Sequence, residues 1–394
     1  MRRSIIFLAL LFLPQLALAS TQIFLTSGST WTVPIDWNNS NNSIEVIGGG
    51  AGGGWNGRGG GGGGAYSKSN NVSLTLGASV SYSVGTGGPA GGANPVGYNG
   101  GDTYFNGASC GGSSVCAKGG LGGLGAYNGY STEYGGVGGA ASQGVGNVRY
   151  SGGNGGAANG KYTAGYLADS GGGGGGGAAG PNNSNGGVPG TDANDIYGTN
   201  GGAGDWGWGG AGGAGGNGNG YGSAGSNGAE WGSYGAGGGG GGGDYYALHD
   251  YYSPYSDSGA GGYYGGGGGG GGAGSDNPDG GNGAPGLIVI TYVPKAASCT
   301  ITFDTNPLPY GSSTTIHWSS TNATSMHINT IGYVTANQSG STSIQPSSTT
   351  DYSCAAVGPA GNGSQAATLT VTPPSNPTAT ITSSLGSTVQ TGQS

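Results

Sequence analysis

Two stretches of this chain have the spacing of catalytic loops. Gly155 to Lys161 reads GxxxxGK, a pattern whose backbone amides can cradle phosphates, and Gly107-Ala108-Ser109-Cys110-Gly111 fits GxSxG, the turn that exposes a nucleophilic serine. Both fail on context. Tyr162 stands where a Ser or Thr must reach magnesium, no strand pattern precedes that motif, and Ser109 sits in a glycine and cysteine loop with no helical pattern after it. GxGxxG matches carry no information in a chain with 104 glycines. The carboxylate pairs Asp192 with Asp195 and Asp276 with Asp279 could do acid-base work or hold calcium, but in turn-rich surroundings they read as capping and solubility features. His317 alternates beside Trp318 and reads as strand surface. Neither an enzyme nor a cofactor is expected.

Binding residues are better marked. Residues 244 to 264 carry Tyr245, Tyr246, His249, Tyr251, Tyr252, Tyr255, Tyr263 and Tyr264, with Asp244, Asp250 and Asp257 among them, between the glycine runs Gly237 to Gly243 and Gly265 to Gly272. Tyrosine combines a large contact area, a hydroxyl and only two torsions to freeze, the properties that favour it in binding loops. Such a surface suits a cell-surface glycan or protein receptor. Smaller aromatic islands stand at Tyr127 to Tyr134, Tyr162 to Tyr166, Trp206 to Trp208 and Trp231 to Tyr234, and several tips at one end would make a composite site. The competing reading, at least as good for the tryptophans, is that these aromatics cover a glycine scaffold and anchor it.

The scaffold itself is set by glycine. Between Gly48 and Gly286 lie 95 of the 104 glycines, all but Gly28 and eight beyond Gly286. Glycine buries no side chain and loses the most backbone freedom on ordering, so this region must be held by main-chain hydrogen bonds or stay a linker. Collagen is disfavoured, because 17 prolines and runs such as GGAGGAGG at Gly209 to Gly216 do not make Gly-X-Y. One GGxGxD match, Gly271 to Asp276, is too few for a calcium β-helix. What remains is extended threads of three residues per turn that satisfy one another's amides and carbonyls.

Strand patterns frame this region. Gln22 to Leu25, Thr30 to Pro34, Ser43 to Ile47, Tyr66 to Leu76, Ser79 to Val84 and Asp102 to Phe105 are rich in β-branched and aromatic residues, and Gly286 to Val293 is apolar on both faces. The last run needs partners on both sides, which predicts that it pairs back into the N-terminal set and closes one domain. Beyond Pro294 the alternation continues through Cys299 to Phe303, Ser312 to Trp318, Ser325 to Asn329, Tyr333 to Ile344, Thr350 to Val357 and Ala366 to Val371.

Phe24, the run Ser27 to Pro34, Ile44-Glu45-Val46-Ile47 leading into Gly48 to Gly54, and the closing Gly286 to Tyr292 together resemble glycine-rich domains of bacterial surface and phage tail-fibre proteins. The likeness covers most of residues 21 to 293, and its two ends are its specific part. It implies a β-sandwich base with glycine-rich excursions packed as polyglycine II bundles, which in phage adhesins display receptor-binding loops. The C-terminal part resembles a bacterial immunoglobulin-like domain through Cys299, Trp318, Cys354 and the run Asp351-Tyr352-Ser353-Cys354, which matches the disulfide, core tryptophan and tyrosine corner. Trp318 and Cys299 fall one strand earlier than in antibody domains, so the disulfide would join different strands or be absent. The fold class is therefore all-β, a sandwich with a glycine bundle plus an immunoglobulin-like sandwich.

Arg2 and Arg3, the apolar run Ile5 to Leu13 and Ala17-Leu18-Ala19 have the layout of a secretory signal, with cleavage after Ala19. The domains read as 1–19 leader, 20–293 glycine-rich, 294–373 immunoglobulin-like, and 374–394 the start of a second repeat, since Thr378 to Thr382 echoes Cys299 to Thr302. Without the leader the formal charge is 6 − 16 = −10, and the remaining basic residues are scattered singly, so nucleic acid is not an expected partner and neither is an anionic membrane surface. No second apolar stretch is long enough to insert in a bilayer. Four cysteines in an exported chain suggest two disulfides, with spacing favouring Cys110–Cys116 and Cys299–Cys354; the absence of any CxxC pair disfavours zinc. The expected function is a secreted or surface-held, non-enzymatic adhesion module. A matrix or envelope protein that self-associates through its bundles, and an ice-binding protein, are the alternatives.

Overall fold

The computed structural model describes residues 19–92, 96–124, 134–158, 161–163, 166–168, 171–182, 187–193, 197–205, 208–216, 221–244, 258–273 and 279–374. Apart from Ala19 and Pro374, the leader and the incipient second repeat lie outside the described residues. The protein is all-β, with two short 3-10 turns at Cys110–Gly112 and Ala141–Gln143 and no α-helix among the described residues. It divides into two compact units, one ending at Pro294 and one beginning at Lys295.

The first unit has strands β1 (Thr21–Leu25), β2 (Thr30–Thr32), β3 (Asn42–Ile47), β4 (Tyr66–Asn70), β5 (Ser79–Ser83), β6 (Thr103–Phe105), β7 (Val115–Ala117), β8 (Val148–Tyr150), β9 (Lys161–Thr163), β10 (Tyr166–Ala168) and β11 (Leu287–Tyr292). One antiparallel sheet runs β1-β11-β3-β4-β8 and a second runs β2-β5-β6-β7, while β9 and β10 pair with each other. β11 takes an interior place, between β1 and β3, where both of its apolar faces are covered. Ile288, Ile290 and Tyr292 join Ile44 and Val46 against Val33, Trp37, Val80, Tyr82, Phe105 and Val115 in the core between the sheets. Leu287 and Val289, with Ile47 and Tyr66, are covered on the other face by Ala178, Ala179 and Ala236. Each buried Ile, Leu or Val contributes about 1.5–3 kcal/mol. The ladder of the Tyr66 to Leu76 run stops at Asn70, where Asn71 adopts φ 54°, although Val72 and Leu74 remain buried.

The covering alanines belong to a bundle of extended threads that alternately leave the sheets and return to them. Residues 59–64 show how one is held. The amides of Gly60 and Gly63 donate to Gly156 and Gly153, those of Gly61 and Gly64 to Gly268 and Gly265, and those of Gly62 and Ala65 to Leu121 and Lys118. Successive residues therefore address three neighbours in turn, the period of a thread with three residues per turn. Their carbonyls do the same with three further threads: Gly60 and Gly63 accept from Gly136 and Gly139, Gly61 and Gly64 from Gly176 and Ala179, and Gly59 and Gly62 from Gly54 and Ala51. No room remains for a side chain. A Cβ on Gly63 would lie 2.1 Å from the Gly177 carbonyl oxygen, and one on Gly60 2.3 Å from that of Gly174.

The threads 48–54, 59–64, 171–179, 237–243 and 265–272 are buried along their whole length. Around them, threads 85–91, 97–101, 118–124, 134–139, 151–157, 187–193, 198–204, 210–216, 222–228, 258–262 and 279–285 are hydrogen-bonded in that order into a closed ring. Ring threads carry at least one side chain in every three residues, as in Leu121 and Leu124, Ser151 and Asn154, or Ala211 and Ala214. Near-continuous glycine thus marks the inside and more frequent side chains the rim. Rim amides that would otherwise point to water are taken by side chains of the adjoining thread: Asn99 Oδ1 accepts from Gly122 N (2.9 Å), Asn154 from Gly138 N (2.9 Å), Asn200 from Gly215 N (2.9 Å), Asn282 from Ala90 N (2.7 Å).

The second unit contains β12 (Ser298–Phe303), β13 (Leu308–Pro309), β14 (Thr314–Thr321), β15 (Ser325–Ile328), β16 (Gly332–Val334), β17 (Ser339–Ile344), β18 (Thr350–Val357), β19 (Gly363–Leu369) and β20 (Val371–Thr372). Sheets β12-β14-β17 and β16-β15-β18-β19 enclose Ile301, Ile316, Met326, Ile328, Tyr352 and Leu369, and β13 pairs with β20. The Cys299–Cys354 disulfide joins β12, an edge strand, to β18, while Trp318 lies on the neighbouring β14; the bridge forms, between different strands from the antibody pair. The Tyr333 to Ile344 run is two strands, because Asn337 takes φ 56° and exchanges side-chain hydrogen bonds with the Ala323 backbone.

Candidate functional site

Thread direction determines where the connecting segments fall. Thread 48–54 leaves β3 and thread 59–64 returns to β4; the alternation continues until thread 279–285 delivers the chain to β11. At about 3.1 Å per residue, seven residues carry the chain roughly 20 Å from the sheets. The bundle consequently has a near end against the β1-β11-β3-β4-β8 sheet and a remote end.

Six of the candidate binding residues, Tyr245, Tyr246, His249, Tyr251, Tyr252 and Tyr255, lie outside the described residues. Their flanks are described and stand at the remote end. Asp244 is buried there, level with Gly216 and Gly272, and Ser258 Oγ donates to the carbonyls of Gly269 (2.7 Å) and Asp279 (3.2 Å). Tyr263 and Tyr264 are not with them: thread 258–262 takes the chain back, so both stand at the near end. There Tyr264 stacks on Tyr234 (ring centroids 5.9 Å), and Tyr234 on Phe24 of β1 (4.1 Å, 9° between planes). Burial, with Tyr234 and Tyr263 beside it, raises the Tyr264 hydroxyl above the ordinary tyrosine value. Tyr263 touches Tyr264 edge-on and is exposed.

Of the other aromatic islands, Trp231 and Tyr234 pack on the sheet and Trp208 is exposed at the near end. Tyr134 is the described member of the Tyr127 to Tyr134 island and stands at the remote end. It has company that the sequence reading passed over. Tyr98 (49 % exposed), Tyr134 (68 %), Tyr197 (49 %) and Tyr221 (53 %) each open, or nearly open, a thread returning from the remote end. A tyrosine just after a non-glycine segment and just before GGX spacing resumes is the signal that marks them. Leu124, whose amide donates to the Tyr134 carbonyl (3.2 Å), and Leu121 and Val137 extend the exposed apolar strip down the same side.

A second constellation occupies the near end. Asp205 is buried and accepts from Asn182 N at Oδ2 (2.6 Å), and Glu230 accepts from Ala236 N at Oε2 (3.0 Å). A Cβ on Gly180 would lie 2.8 Å from an oxygen of each carboxylate, so the two share one niche. Burial pushes the Glu230 carboxyl up to about 7, the Asp205 charge adding to the shift and the Ala236 amide opposing it.

Among the described residues the chemical motifs are taken up by structure, while Gly160, Asp195 and Asp276 lie outside them. Gly155 and Gly156 lie in a rim thread with their amides bonded to Gly136 (2.8 Å) and Gly174 (2.7 Å), so they cannot cradle a phosphate. Ser109 precedes a 3-10 turn, and Asp192 Oδ1 accepts from Ala157 N (2.7 Å). Asp102, Cys110 and Cys116 bring ligand-type atoms within 4.8 Å, but the sulfurs are joined as a disulfide and Asp102 engages Lys118 and the Gly119 amide. Among the described residues, no helix is long and apolar enough to cross a membrane. A scan of protein-family models found no match to this chain, and no curated protein matches it.

Proposed function

We infer that this protein is an exported adhesion module in which a polyglycine II bundle, seated on a β-sandwich, presents aromatic segments to a glycan or protein receptor. One observation carries the reading: the alternation of threads places the flanks of the tyrosine-rich segment and four exposed tyrosines, Tyr98, Tyr134, Tyr197 and Tyr221, at the same remote end. Two disulfides suit an oxidising compartment. The second unit serves as an immunoglobulin-like stalk module.

The test replaces residues 245–257 by a short Gly-Ser link, with Tyr134→Ser as a second variant, and measures attachment to a panel of cells and immobilised glycans. The deletion is expected to abolish attachment and Tyr134→Ser to weaken it severalfold, both with the unfolding midpoint unchanged. Undiminished attachment by the deletion variant would refute the assignment.

A further inference from the structure

A concavity of about 590 Å³ opens at the edge of the first unit farthest from the bundle, where β3 begins and β4 and β11 end. Its floor is a row of polar side chains laid across the sheet. Thr291 pairs with Ser43, and Ser43 with Asn70, so all three project from one face of rigid strands. The walls are Ser40, Asn41 and Asn71.

This lining is built in advance. In the wall loop, Asn39 Oδ1 accepts from Trp37 Nε1 (2.8 Å) and Leu74 N (2.9 Å). Asn42 binds the Asn38 and Val72 carbonyls and the Val72 amide. Those asparagines fix the backbone, whereas the side-chain amides of Asn41, Asn70 and Asn71 and the hydroxyls of Ser40 and Ser43 make no hydrogen bond among the described residues. The charged group in the lining, Lys68, lies 3.3 Å from Glu45 Oε1, so the site offers no net charge to a ligand. Val293 gives it little apolar surface, and Tyr292 keeps its ring in the core.

We propose that this concavity is a second binding site, independent of the remote end, for a neutral saccharide. Side-chain amides present a donor and an acceptor side by side, which matches adjacent sugar hydroxyls, each of them donor and acceptor as well. An anion would gain nothing from a lysine already paired, and an apolar ligand or peptide side chain would find no pocket. Pre-fixed walls reduce the ordering cost of binding.

The experiment incubates the full chain on an array of neutral and acidic oligosaccharides, then titrates the strongest neutral binder against variants. Asn70→Leu and Thr291→Val each replace a polar group without filling the core, and each is expected to weaken binding at least tenfold with the unfolding midpoint unmoved. Tyr134→Ser, at the other end of the unit, is expected to leave this binding intact. The proposal fails if no neutral saccharide is retained, if only acidic ones are, or if Tyr134→Ser abolishes the binding while Asn70→Leu and Thr291→Val do not.

Discussion

The two ends of the glycine bundle use the same residue types in opposite ways. At the near end Tyr234 and Tyr264 form a stack on Phe24, and Trp231 packs beside them, so aromatic area goes to fastening the threads to the sheet. At the remote end Tyr98, Tyr134, Tyr197 and Tyr221 have no sheet to cover and are about half exposed or more. The residue does not choose its role; the direction of the thread that carries it does. A glycine thread has no hydrophobic grip of its own, so one end must supply anchoring before the other can be free to bind.

The contrast depends first on the threads being packed as rigid bodies. Gly63→Ala should break it most severely: its methyl would meet the Gly177 carbonyl at 2.1 Å. A loss on the order of 4 kcal/mol is expected. The rim change Ala211→Ser, measured beside it by calorimetry, should be nearly neutral. Tyr264→Ala probes the near end alone, and removing its stacked ring should cost about 2 kcal/mol. Attachment at temperatures where the variant stays folded should be unchanged; a loss there without unfolding would move Tyr264 into the binding surface.

The smallest effect is in pH. Glu230 is raised in the folded state from 4.5 to about 7, so its contribution is fully present below pH 4.5 and disappears as pH rises through 7. Allowing for its partial exposure, about 1–2 kcal/mol should be lost between those limits. Glu230→Gln should flatten that slope in melts taken from pH 4 to 8, and an unchanged slope would place the titrating group elsewhere.

Much of the framework was legible in the sequence. The Leu287 to Ile290 run, apolar on both faces, needed partners and pairs back into the N-terminal sheet, and four cysteines in an exported-looking chain paired as their spacing suggested. That the glycine runs need main-chain partners followed from glycine's lack of a side chain, with a flexible linker as the alternative. The site was legible only in part. Residues 244 to 264 form one window in sequence, but a thread of extended chain separates Asp244 and Ser258 from Tyr263 and Tyr264, which no composition count can register. The sorting of glycine runs into inside and rim was written in how often a side chain interrupts them, yet it acquires meaning only once each inner thread has six neighbours. Short strands such as Val115–Ala117 and Val148–Tyr150 had too few residues to show a period.

The register of β11 has a mechanical consequence. It lies between β1 and β3, antiparallel to both, from Leu287 against Ile47 to Tyr292 against Thr21. If the remote end is held and tension is applied to the chain leaving Tyr292, β11 is drawn lengthwise along two partners, so the bonds of both ladders resist together instead of parting one by one. The exit strand is thereby loaded in shear, the direction in which a sheet yields least readily.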